Sequence, residues 1–125
     1  MEATNEDGVS INMDASPDIG GQNKGMRPMQ LLLSGIGGCS TIDILDILKK
    51  QRQEVKDIKV NVNATRYEGE VPSLFKTIQL EYVLYGSLDE GKVKRAIDLS
   101  LDKYCSVAKI LEKTAEISYS FQIKP

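Results

Sequence analysis

Two cysteines carry most of the chemistry open to this chain. Cys39 directly follows Gly37-Gly38, and Cys105 lies far downstream in Lys103-Tyr-Cys105-Ser. Their separation rules out a CxxC redox motif and a CxxC zinc knuckle. There is no histidine. That excludes Ser-His-Asp and Cys-His catalysis and any imidazole metal ligand. Two thiols alone are too few for a closed structural zinc site, so no metal is expected. No cofactor is expected either. Gly20-Gly-Gln-Asn-Lys-Gly25 lacks the phosphate-loop spacing, and Gly35-Ile-Gly37-Gly38 is not a dinucleotide fingerprint. Two readings of the thiols stay open. In one they form a pair, with one thiolate attacking an electrophile and the other resolving the product as a disulfide. In the other they are unrelated small core residues.

A thiol of ordinary acidity is mostly protonated at neutral pH, so an attacking thiol needs a nearby cation. Lys24, Arg27 and Arg66 are the candidates, although each reads first as a solvated surface charge. Asp43 lies one helical turn after Cys39, where it either opposes thiolate formation or pairs with a cation.

These side chains depend on the elements that hold them. The first 13 residues read as a small hairpin with a two-residue Asp7-Gly8 turn, Val9, Ile11 and Met13 alternating with Ser10 and Asn12. Asp14 to Lys24 read as a loop. A helix is predicted from Pro28 to about Arg52, apolar over most of its circumference and therefore central. Its Gly35, Gly37 and Gly38 point to close approach by a neighbouring element or a ligand. Ile58, Val60, Val62 and Ala64 alternate in one strand. Ile78, Leu80, Tyr82 and Leu84 alternate in the next, after a turn at residues 68–73. Ser87 or Asp89 caps a following helix, or two consecutive helices, whose apolar face runs Val93, Ile97, Leu101, Tyr104, Ala108, Leu111. Ile117, Tyr119, Phe121 and Ile123 mark a last strand. The order β-β-α-β-β-α-β predicts an α+β fold with an antiparallel sheet.

The composition fits an ordinary globular domain: 125 residues, 41% hydrophobic and 27% charged. A net charge of −2 and a pI near 5.2 argue against nucleic acid as a partner. The acidic, polar start Met1-Glu-Ala-Thr-Asn-Glu-Asp is not a signal peptide. Asp43 and Asp46 interrupt the longest apolar stretch, so no membrane span is expected and a cytoplasmic location is.

Two blocks, Pro28-Met-Gln-Leu-Leu-Leu-Ser-Gly-Ile-Gly-Gly-Cys39-Ser-Thr-Ile-Asp43 and Lys103-Tyr-Cys105-Ser-Val-Ala-Lys-Ile-Leu111, with the long hairpin between them, resemble the OsmC/Ohr family. These are the osmotically inducible protein C and organic hydroperoxide resistance proteins. The resemblance runs from about Val9 to Lys124 and implies a single OsmC-like domain over residues 1–125. It implies an intertwined homodimer, with sheets wrapped round long central helices. It also implies a thiol peroxidase without a cofactor. Cys39 would attack a small organic hydroperoxide, Cys105 would resolve the sulfenic acid as a disulfide, and an external dithiol would reduce that disulfide. In the family's peroxidases an arginine activates the first cysteine and is held by a glutamate ten residues before it. Here that position is Met29, followed by Gln30, and the first arginine is Arg27. Arg27, Gln30 and Asp43 are therefore the candidate supporting residues. The alternatives are a non-enzymatic dimer binding an apolar or thiol-bearing ligand beside Cys39, and a structural dimer with inert thiols.

Overall fold

The computed structural model describes residues Met1–Pro125, which divide into two compact units, Met1–Ser34 and Gly35–Pro125. In the first, β1 (Glu2–Thr4) and β2 (Ser10–Asn12) pair antiparallel. The Asn5 N–H donates to the Val9 carbonyl and the Gly8 N–H to the Asn5 carbonyl, both at 3.0 Å. The loop is thus Glu6-Asp7-Gly8, three residues rather than the expected two. Gly8 takes the left-handed position at φ 81°, where a residue without Cβ is unstrained. The Asn5 side chain accepts from Asp7 and Val9 N–H and presets the turn. The alternation made a strand, but its apolar side is uncovered: Val9 is 63% and Ile11 49% exposed. In the loop that follows, Asp14 gathers the N–H groups of Lys24, Gln22 and Ala15, which hold its carboxyl below the usual range.

The long helix α1 spans Pro28–Lys50. It starts at the expected proline. The Gln30 side chain reaches back to accept from the Arg27 N–H at 2.9 Å, one half of a capping box. It ends two residues before the expected Arg52, which takes a left-handed conformation (φ 58°). The Gln53 N–H then reaches the Leu48 carbonyl and the Arg52 N–H the Lys49 carbonyl, a Schellman closure. By length and apolarity alone α1 could cross a bilayer. However, Ile36, Ser40, Ile44 and Leu48, four apart, have no exposure at all, which is the stripe of a core helix. The opposite side is open, with Ile42 71% exposed.

The second unit is built on β3 (Asp57–Arg66), β4 (Phe75–Tyr85) and β5 (Glu116–Lys124), with β4 in the middle. β3 and β4 form the expected antiparallel hairpin, Val60 opposite Tyr82 and Val62 opposite Leu80. β5 pairs parallel to β4, Tyr119 beside Leu80 and Phe121 beside Tyr82. This corrects the all-antiparallel expectation. The helical segment between β4 and β5 is long enough for the crossover that parallel neighbours require. The central strand buries Ile78, Leu80, Tyr82 and Leu84 at 0–1% exposure. α1 lies on that face. A Cβ built on Gly37 would come within 3.3 Å of Val62 and 3.6 Å of Val60, so the glycine permits close helix–sheet contact.

The crossover contains α2 (Glu90–Leu99), a π-helical turn (Ser100–Tyr104) and α3 (Ser106–Leu111). Asp89, not Ser87, caps α2 by accepting the Lys92 N–H at 2.9 Å. The predicted apolar face continues through Val93, Ile97, Ala108 and Leu111 but breaks in the middle. Leu101 is half-buried and Tyr104 is 51% exposed, while Ser100 and Cys105 are fully buried. The wider π turn rotates the face by adding a residue to the helical repeat.

Candidate active site

Cys39 and Asp43 lie four apart on α1, so both side chains leave the same side of the helix. The π turn delivers the third member. The Cys105 N–H closes on the Ser100 carbonyl at 2.7 Å, which ends the turn and makes Cys105 the N-cap of α3. The two sulfurs and one Asp43 carboxylate oxygen all lie within 4.8 Å of one another. Cys39 is half-buried and Cys105 has no exposure.

Four contacts made by Ser40, Ser100 and Tyr82 hold this cluster. The Ser100 hydroxyl contacts the Ser40 carbonyl at 3.3 Å and Asp43 Oδ2 at 3.2 Å, pinning the π turn to α1. The Ser40 hydroxyl lies 2.7 Å from that of Tyr82 on β4 and 3.2 Å from the Gly37 carbonyl. Burial pushes the Tyr82 hydroxyl up to about 12, against the Ser40 hydrogen bond, and keeps it neutral. Burial likewise pushes the Cys105 thiol up to about 11. The Ala108 N–H, 3.4 Å from Cys105 Sγ, opposes this, whereas Cys39 and the Asp43 carboxylate add to it. Cys105 is therefore a proton-bearing thiol facing the sulfur of Cys39. Beside the cluster a groove of about 440 Å³ is lined by Asp43, Ile47, Lys50, Leu99 and Tyr104, among others, and leads to Asp43 from solvent. A second groove, of about 500 Å³ and lined by Asp98, Asp102, Glu112 and Tyr119, contains no thiol.

Residues 21–120 match the family described as OsmC-like protein. The chain belongs to that family. It is 44% identical over 102 residues to protein YhfA of Escherichia coli strain K12, covering 81% of this chain and 75% of YhfA. A protein of Aquifex aeolicus VF5 of known crystal structure shares 36% identity at a TM-score of 0.79, covering 98% of this chain and 86% of that one. An organic hydroperoxide resistance protein OsmC of Legionella pneumophila, described as a predicted redox protein, superposes with a TM-score of 0.75 over 97% of this chain and 88% of its own. Its 15% identity makes that a likeness of fold.

Within this OsmC-like chain, the cysteines and Asp43 anticipated from the sequence come together. Gln30 instead caps α1 through the Arg27 N–H. The Arg27 guanidinium is engaged by the Gly25 carbonyl at 3.2 Å and the Asn23 side chain at 3.0 Å, holding its own loop. Arg66 grips the Ser73 carbonyl with Nε and Nη2 at 3.0 and 2.8 Å and closes the β3–β4 turn. Lys24 lends its backbone N–H to Asp14. Asp43 belongs to no ion pair; the paired carboxylates are Asp46, Asp98 and Glu112. The sequence reading did not single out Ser40, Ser100 or Tyr82. For the serines the signal was a small polar residue on an otherwise apolar face, Ser40 four after Ile36 and Ser100 three after Ile97; Tyr82 was legible only as a strand residue.

Proposed function

We propose that this OsmC-like protein is a thiol-dependent redox protein that reduces small organic hydroperoxides, with Cys39 attacking and Cys105 resolving. The observation that carries this reading is the meeting, within 4.8 Å, of two sulfurs supplied by separate helices. The half-buried thiol is the one a peroxide can reach, and the enclosed one is placed to follow. The Cys39 thiolate attacks the distal peroxide oxygen. The O–O bond breaks, the departing alkoxide takes a proton from solvent and leaves as the alcohol, and Cys39 becomes a sulfenic acid. Cys105 displaces water from it to form the disulfide. An external dithiol restores both thiols by exchange. The high proton affinity of Cys105 suits this order, because it stays a thiol until the sulfenic acid forms.

The working unit in this reading is a homodimer in the cytoplasm. The apolar residues that α1 leaves open, Ile42 and Leu45, supply surface for a second copy. The second reading is a ligand-binding dimer that holds an apolar or thiol-bearing molecule beside Cys39. The observation favouring it is Asp43, a carboxylate without an ion-pair partner against both sulfurs.

The deciding experiment treats the reduced protein with cumene hydroperoxide and counts free thiols. Loss of both thiols per chain, abolished in Cys39→Ser, is expected. In Cys105→Ser the reaction stops at a sulfenic acid that dimedone traps. Thiols that survive excess peroxide, together with a ligand that shields Cys39 from alkylation, would establish the second reading instead.

A further inference from the structure

We propose that Cys39, Asp43 and Cys105 form a binding site for a soft divalent cation, Zn²⁺ in particular, with water completing a tetrahedral shell. The proposal goes beyond peroxide reduction: it uses the same two thiols and adds Asp43. The chain holds too few thiols for a closed four-ligand site, but open zinc sites have three protein ligands and a solvent position. The geometry is close to such a site. Ligand atoms in a tetrahedral shell with Zn–S of about 2.3 Å and Zn–O of about 2.0 Å lie roughly 3.5–4 Å apart. Here they lie within 4.8 Å, so small side-chain rotations close the gap.

Two further features point to a cation. The Asp43 carboxylate faces two sulfurs and pairs with no lysine or arginine. A negative group so placed gains most from a positive charge shared with the thiols. Its Oδ2 is also within reach of the Ser100 hydroxyl at 3.2 Å, which itself contacts the Ser40 carbonyl. With one oxygen at the Ser100 hydroxyl, the other would serve as the metal ligand, an arrangement like that of outer-shell partners in zinc sites. Thiolate ligands select zinc over magnesium or calcium.

Binding converts two thiols to thiolates and releases two protons per cation, so affinity rises with pH. The occupied site and the disulfide exclude each other. A hydroperoxide that oxidises the bound thiolates takes two electrons and two protons to give alcohol and water. It leaves the Cys39–Cys105 disulfide and frees the cation.

The test titrates phosphine-reduced protein with Zn²⁺ against a chromophoric chelator and follows Co²⁺ as a spectroscopic probe, without peroxide. One cation per chain, about two protons released, and thiolate-to-cobalt absorption are expected. Asp43→Asn, nearly isosteric, should weaken zinc by about tenfold or more, the range that loss of even an outer-shell partner produces. Ser100→Ala should weaken it less. Cys39→Ser and Cys105→Ser, checked for folding by circular dichroism, should lose the cobalt absorption. Absence of binding at micromolar zinc overturns the site, as does unchanged affinity in Asp43→Asn. Peroxide turnover measured in chelator is independent, so either proposal can fail alone.

Discussion

Cys105 illustrates how a fold can enclose one of two identical groups and leave the other half-buried. It has no exposure, and burial pushes its thiol up to about 11 from an ordinary value near 9. Near neutral pH, iodoacetamide should therefore modify Cys39 first, and Cys105 only as the pH approaches about 11; mass spectrometry of the alkylated peptides checks the order. The same shift bears on stability. The folded chain holds this proton more tightly than the unfolded chain. Its stabilisation is complete below about pH 9 and is lost as the pH rises to about 11. Melting temperature should fall across that window, and Cys105→Ala should flatten the fall. Tyr82, raised from 10 to about 12, adds a second loss at higher pH. Its contact with Ser40 is asymmetric. In Tyr82→Phe the Ser40 hydroxyl keeps the Gly37 carbonyl, at a cost of about 1 kcal/mol. Ser40→Ala leaves a buried tyrosine hydroxyl unpaired and should cost up to about 3 kcal/mol. Urea unfolding of the two variants measures the difference.

Among the elements, α1 carries the greatest demand. It must bring Cys39 and Asp43 beside the π turn while lying close on β3. Gly37 makes that approach, since even a methyl there would press on Val62 at 3.3 Å. Gly37→Leu overfills the contact and should cost about 1–3 kcal/mol in denaturant unfolding. Gly38 has nothing within 4 Å of a built Cβ and plays no part in this contact. The tight-packing reading of the glycines therefore holds closely at Gly37 and fails at Gly38, while a Cβ at Gly35 would meet Val107 of α3 at an ordinary 3.8 Å. The π turn is the second element that makes the site. An unbroken α-helix through residues 90–111 would keep Leu101 and Tyr104 on the buried face. The turn instead buries Ser100 and Cys105 and directs both at α1.

At the scale of the molecule, each unit leaves apolar side chains uncovered. Ile42 is 71% exposed on a helix whose other side is fully enclosed, and the first hairpin leaves Val9 and Ile11 in water. Under the proposed homodimer, Ile42→Asp should shift sedimentation from dimer to monomer at micromolar concentration while leaving the helical circular dichroism signal in place. A monomeric parent protein at that concentration would remove the dimer from the proposal.

The sequence by itself determined where the helices and strands lie, because their periodicities of 3.6 and 2 are written in near neighbours. It also determined that a thiol is the strongest nucleophile available, since no histidine exists to activate a serine. Pro28, Asp89 and the alternation of β3 and β4 were legible for the same local reason. Only the tertiary structure decided that the two thiols meet, that Cys105 is the enclosed one, and that β5 runs parallel to β4. It alone assigned Gln30 to a helix cap and Arg66 to a turn, and joined Ser100 to Asp43. These facts depend on segments distant in the chain packing on one sheet face, and on a π turn that rotates the helical repeat. No spacing rule within a single element encodes either one.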